Sequence, residues 1–245
     1  MVSWRELQAR MQEFFRFSRQ EKIGLLAAII ITGFIFSFRD WGAEQLDVLV
    51  GVRNLLLVTL VAGISFLFRT ACQKTYGLSE GYKTEFKVWW AGMLIALALA
   101  FISQGRFTVV LAGTMMSVFM VKQRLGEFRY GFSYWHNGLI AYWGVLGNLI
   151  MALLFAVGWY FFPTSYLFSK GVTLNLIMAF TSLIPIPQLD GLAIFFGSRG
   201  LYVFGVALSA LAAVLLFTRT KIGLIASIVL GVVYGAIYLL IGSEK

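Results

Sequence analysis

The sequence predicts an all-α polytopic membrane protein: a bundle of about seven transmembrane helices, six to eight, with a short β-hairpin plausible between them. Three observations carry that class. Of 245 residues, 60% are hydrophobic and 13% charged, and the mean hydropathy is +0.84, a balance foreign to water-soluble domains. The apolar residues fall into runs of roughly 15–25 separated by short charged stretches, about the length a helix needs to cross hydrocarbon. Twenty-five Gly against three Pro suit helices that approach closely through small residues.

The charge pattern excludes one class of function. The net +9 lies between the apolar runs and never in an aromatic-interleaved basic domain, so it points to anionic lipid headgroups and not to nucleic acid. The single cysteine, Cys72, rules out an intrachain disulfide and a cysteine-based metal cluster. It reads as a small buried hydrophobe.

Residues 1–22 read as a basic amphipathic interfacial helix. Arg5, Arg10, Arg16, Arg19 and Lys22 accompany Trp4, Leu7, Met11, Phe14 and Phe15, which recur at helical spacing. Residues 23–245 form a single transmembrane domain. Ile23–Phe38 enters from the cytoplasm, the loop with Asp40, Glu44 and Asp47 is external, and Asn54–Phe68 returns. Arg69, Lys74, Lys83 and Lys87 mark 69–87 as cytoplasmic, and Tyr82–Trp90 alternates weakly as a strand does. Val88–Ser103 crosses outward. Phe107–Val121, interrupted by Gly113 and Thr114, either crosses or re-enters, and Lys122, Arg124 and Arg129 favour a return to the cytoplasm. Gly138–Phe162, Val172–Ile186, Leu201–Phe217 and Ile222–Ile241 complete the set. The turn Thr218-Arg219-Thr220-Lys221 joins the last two. Both termini then fall in the cytoplasm.

The stretch Thr181–Gly191 breaks this regularity. Pro185 and Pro187 cannot continue a helix, since each lacks an N–H and pushes its predecessor toward extended backbone. The helix beginning near Val172 must open, which at membrane depth requires protein or water to satisfy the freed backbone. Just beyond lies Asp190, the lone acid between Glu127 and Glu244. An ionisable group there is a functional-site hypothesis by default.

Leu183-Ile184-Pro185-Ile186-Pro187-Gln188-Leu189-Asp190-Gly191 resembles the N-x-x-P-x-x-x-L-D-G signature of the site-2 protease family of intramembrane zinc metalloproteases, with Ser182 in place of the leading Asn. Gly144-Val145-Leu146-Gly147-Asn148 resembles that family's G-P-x-x-N segment, keeping Asn148 and replacing the Pro by Val145. The resemblance covers about residues 54–200 and implies a site-2-protease-like helical bundle. It also implies that Asp190 is the family-equivalent metal ligand, and that Asn148, Ser182, Pro185 and Pro187 line a substrate-binding groove.

The family's other two ligands come from H-E-x-x-H, where i and i+4 share a helix face and the Glu is the general base. This chain has one His, His136, so that site cannot be built. Counting back from Tyr76-Gly77 places Ser65, Phe66 and Arg69 at the degenerate positions. Arg69 would repel Zn²⁺ and pair with Asp190 instead. His136, beside Tyr134 and Trp135, reads as an interfacial histidine.

Three readings follow. The first is a catalytically degenerate homologue, with no cofactor expected, that binds or retains membrane protein clients or transmembrane segments. Its groove at Ser182–Gly191 would offer unpaired backbone groups to an extended client. The second is an active zinc metalloprotease with an unusual site, built from Asp190, His136 and one further group. The third is a small transporter using the broken helix at the midplane, which the absence of an inverted repeat disfavours.

Overall fold

The computed structural model describes residues 4–42, 46–119, 133–218 and 220–243, with side chains described as far as residue 233. Expectations that rest on Glu44, Lys122, Arg124, Arg129 and Arg219 lie outside the described residues.

The amino-terminal pattern divides in two. Helix α1 (Trp4–Phe14) ends early, and α2 (Arg19–Ser37) starts at a capping box in which Ser18 and Glu21 each accept the other's backbone N–H. Arg19 to Lys22 therefore form the first turn of α2 and do not extend the amphipathic helix. Asp47 caps α3 (Val48–Ser79), accepting the N–H groups of Leu49 and Val50. At 32 residues α3 is roughly 48 Å long, well beyond a bilayer core of about 30 Å. It absorbs Arg69–Ser79, which the sequence reading gave to a cytoplasmic segment. Arg69 and Lys74, counted there as loop charges, are both buried.

Strand β1 (Tyr82–Val88) follows, then α4 (Trp90–Ile102). The next apolar run is not a helix. Residues 107–112 are irregular and lead into β2 (Gly113–Phe119), which pairs antiparallel with β1 from Tyr82↔Phe119 to Val88↔Gly113. Phe107–Val121 is thus neither a helical crossing nor a helical re-entry among its described residues. The strand expected at Tyr82–Trp90 is present, but its partner comes from beyond α4, so the two strands are not a hairpin. Gly113 takes φ +142, and a Cβ there would strike the carbonyl of Lys87. The ladder satisfies one edge of each strand, as backbone near lipid requires.

The outer edge of β1 is closed by side chains. Phe86 N–H donates to Glu21 Oε1 at 3.0 Å, and Lys74 Nζ donates to Thr84 O at 2.9 Å. Glu21 and Lys74 are themselves paired at 3.0 Å. Lys74 also donates to Arg16 O at 3.2 Å and lies over the Phe17 ring, tying the α1–α2 link to α3.

Helix α5 (Tyr134–Phe161) runs through the centre, packed against α3, α6 (Tyr166–Ser182) and α7 (Asp190–Gly197). The break after Ser182 is real: α6 stops and α7 restarts at Asp190. Helices α8 (Arg199–Phe217) and α9 (Lys221–Ser243) form a peripheral pair. Among the described residues, four helices, α2, α3, α5 and α8, are long and apolar enough to cross a membrane. The architecture is consistent with a mainly helical membrane protein.

Candidate functional site

The site is built on α3. Arg69 and Gln73 stand one turn apart and so share a helix face. That face meets α5 where α5 carries Gly144 and Gly147. A Cβ at Gly144 would strike the Gln73 amide and lie 3.1 Å from Asp190 Oδ2, and one at Gly147 would lie 3.2 Å from the Arg69 backbone. The two glycines let α3 and α5 close on each other at this level.

Asp190 enters from the other side, as the first residue of α7. The helix N-terminus favours its charge. Gly191 follows because the chain folds back on itself: a Cβ at 191 would overlap the Leu183 carbonyl. The carboxylate is fully buried, at 0% exposure.

Four donors surround it. Arg69 Nη2 donates to Oδ2 at 2.5 Å and Gln73 Nε2 to the same oxygen at 2.8 Å. Thr114 Oγ1 donates to Oδ1 at 2.6 Å, and Met115 N–H donates to Oδ1 at 3.2 Å. Strand β2 thus closes the site from the side opposite α3. Arg69 is 7% exposed, so this is a buried charge pair whose remaining acceptor capacity is met by neutral donors.

Zinc takes lone-pair donors and, in a hydrolytic site, keeps a position open for water. Here a guanidinium, an amide N–H, a hydroxyl and a backbone N–H all point their hydrogens at the carboxylate. These residues do not fit a zinc ion. Among the described residues, no three His, Cys, Asp or Glu side chains gather as a metal would need.

The remaining residues singled out by sequence are dispersed. Ser65 lies a turn before Arg69 on α3, donates to Val61 O at 2.8 Å and accepts the Asn175 amide at 2.8 Å. Phe66 is core. Asn148 is fully buried on α5, and neither end of its amide has a partner. Ser182 is buried, and its hydroxyl donates to Ala179 O at 2.9 Å. Pro185 and Pro187 are exposed. His136, in the first turn of α5, faces Glu80 at 3.3 Å and the Tyr82 ring rather than Asp190.

The expected row of free backbone donors between Ser182 and Gly191 is not there. The N–H groups of Leu183, Ile184, Ile186 and Leu189 are all satisfied by nearby carbonyls, because the two prolines fold the segment into successive tight turns. Sequence reading missed Gln73 and Thr114. Gln73 was legible as the residue four beyond Arg69. Thr114 had no local signal, since its role depends on β2 pairing across α4.

No family model matches the chain, and no solved structure does. Over 181 residues, 72% of this chain and 84% of the relative, the sequence is 27% identical to the "Putative zinc metalloprotease MJ0611" of Methanocaldococcus jannaschii. The chain is therefore metalloprotease-like in sequence, with the buried acid of this site, Asp190, held by an arginine.

Proposed function

We propose that this chain is a site-2-protease-like, multi-pass integral membrane protein with both termini cytoplasmic. It has lost its metal site and binds or retains membrane clients. One observation carries the reading: both oxygens of Asp190 are taken, one of them by the Arg69 guanidinium at 2.5 Å. The α3 pair that faces Asp190 one turn apart is Arg69 and Gln73. That supports carrying the H-E-x-x-H positions to Arg69, Thr70 and Gln73 in place of Ser65, Phe66 and Arg69. On either placement both ligands and the base are replaced.

The client surface lies beside this lock. Ile184, Pro185, Pro187 and Gln188 are exposed at the break. Strand β2 has β1 as its ladder partner on one edge; on the other, the Met115 N–H is taken by Asp190, and Met116 and Val118 are exposed on one face of the strand. An extended client segment would add to that edge beyond Met115, toward Ser117, main chain to main chain, with Ile184 and the prolines as an apolar rim. This moves the pairing surface from the broken helix, where the N–H groups of Leu183, Ile184, Ile186 and Leu189 are used, to the neighbouring strand.

The relative's name favours a second reading, an active zinc metalloprotease. Elemental analysis of purified protein separates the two, with far less than one zinc per chain expected. About one tightly held zinc per chain, released by Asp190→Ala, would sink the first reading. For the client, photo-crosslinkers at Ile184, Gln188 and Val118 should capture membrane segments. Pro185→Ala with Pro187→Ala should weaken that capture while leaving expression intact. Crosslinks indifferent to the prolines would reduce the break to a helix terminator.

A further inference from the structure

A second polar site lies at the far end of α6 from the proline break. The end of α2, the turn after α4 and the first two turns of α6 enclose a cavity of about 300 Å³. Arg39, Asp40, Gly105, Thr108, Lys170 and Thr173 line it, a polar wall, whereas two cavities that α5 forms with α8 and α9 are mainly apolar.

Its groups are held in place. Asp40 Oδ2 takes Lys170 Nζ and the Tyr166 hydroxyl, each at 2.6 Å, and the Asp40 carbonyl takes the Asn54 amide at 2.8 Å. Lys170 also donates to Phe36 O at 3.1 Å, capping the end of α2. Burial first, and then Asp40, push the Tyr166 phenol well above its ordinary range, so it stays a donor. The stem of Arg39 crosses Gly105, which sits at φ +70, and a Cβ at that glycine would come 2.7 Å from Arg39 Cγ. The turn residue therefore fixes where the guanidinium leaves the backbone.

The charges do not cancel. Lys170 and Asp40 neutralise one another, and Arg39 has no acid within ion-pair distance among the described residues. One positive charge remains, with the Thr108 hydroxyl and the third hydrogen of Lys170 beside it. A monoanion with several acceptor oxygens complements that set. A phosphodiester is such a group, and a guanidinium grips its two free oxygens through parallel N–H bonds. The surroundings suit a lipid: Phe101, Ile102 and Phe107, next to the cavity, are 55%, 81% and 63% exposed. The cavity opens at the end of α2, a helix long and apolar enough to cross a membrane. Headgroups lie at that level.

We propose that this cavity binds the phosphodiester of a phospholipid headgroup, with Arg39 as the bidentate donor and Thr108 and Lys170 completing the shell. The test uses the full-length protein in nonionic detergent, titrated with short-chain phosphatidylglycerol, with diacylglycerol of the same chain length and with inorganic phosphate. Phosphatidylglycerol should bind and diacylglycerol should not. Arg39→Gln should weaken binding about tenfold or more, since it removes a charge-assisted pair. Thr108→Val should weaken it less, and Arg106→Gln, an exposed neighbour outside the cavity, should leave it unchanged. Arg39 and Arg106 are exposed, so these variants fold, which their unliganded melting temperatures check. Inorganic phosphate that competes, with the same dependence on Arg39, supports the site and adds the free anion as a source. Equal binding of diacylglycerol, or equal losses from Arg39→Gln and Arg106→Gln, overturns the proposal.

Discussion

Arg69 and Lys74, five residues apart on α3, each hold a buried carboxylate, but the two clusters are built inside out relative to one another. At Asp190 the acid is the hub: it gathers a cation and three neutral donors from α3 and β2. At Lys74 the cation is the hub, donating to Glu21, Thr84 O and Arg16 O. A carboxylate with four donors keeps most of its hydrogen bonds when the arginine leaves. When an ammonium with three acceptors goes, two carbonyls lose a donor, and Glu21 loses its cation while keeping the N–H groups of Phe86 and Ser18. The two clusters should therefore respond differently to deletion, although each is one ion pair on one helix.

The largest effect should come from Lys74→Met. It leaves the Glu21 charge without a cation, with only two N–H donors, and takes a donor from two carbonyls at once; loss of one member of a buried pair costs about 3–5 kcal/mol. The upper part of that range is expected from unfolding in detergent. A loss no greater than that of the exposed Lys83→Met would remove the distinction between the clusters. Next is Asp190→Asn, which strands the Arg69 guanidinium at about 3 kcal/mol. Adding Arg69→Met should return part of that loss, whereas simple additivity would mean that the contact carries no coupling. The smallest is Thr114→Val, at about 1.5 kcal/mol for one hydrogen bond to a charge. It should appear as faster amide exchange along β2, and unchanged exchange there would detach the strand from the site.

The sequence carried the acid and its cation. Asp190 stood out because acids are scarce in the second half, and Arg69 followed from a motif count. It could not carry their geometry. Gln73 is an ordinary polar residue until α5 presses Gly144 against it. β2 falls in a run read as a membrane crossing or a re-entrant segment, because Phe107–Val121 is apolar and of nearly sufficient length. Such a run has no period that tells a buried strand from a helix. The same ambiguity misled the charge count. Arg69 and Lys74 look like loop cations when hydropathy alone sets the helix boundary, yet helix α3 continues through both. Charges that fold inward give no vote on orientation.

Arg69 and Asp190 are 121 residues apart in the chain. A ribosome adding roughly 5–20 residues per second needs about 6–24 s to make that interval. For that time the new arginine has no carboxylate of its own site to meet. Its long stem can keep the charged head toward water while the rest is made. Glu21 already exists when Lys74 emerges, so the sheet-edge clamp can close first and hold α3 against α2. The final engagement then falls to α7, whose Asp190 can meet Arg69 only after most of the bundle has been synthesised. An acid supplied too early, or by another chain, would meet a waiting arginine.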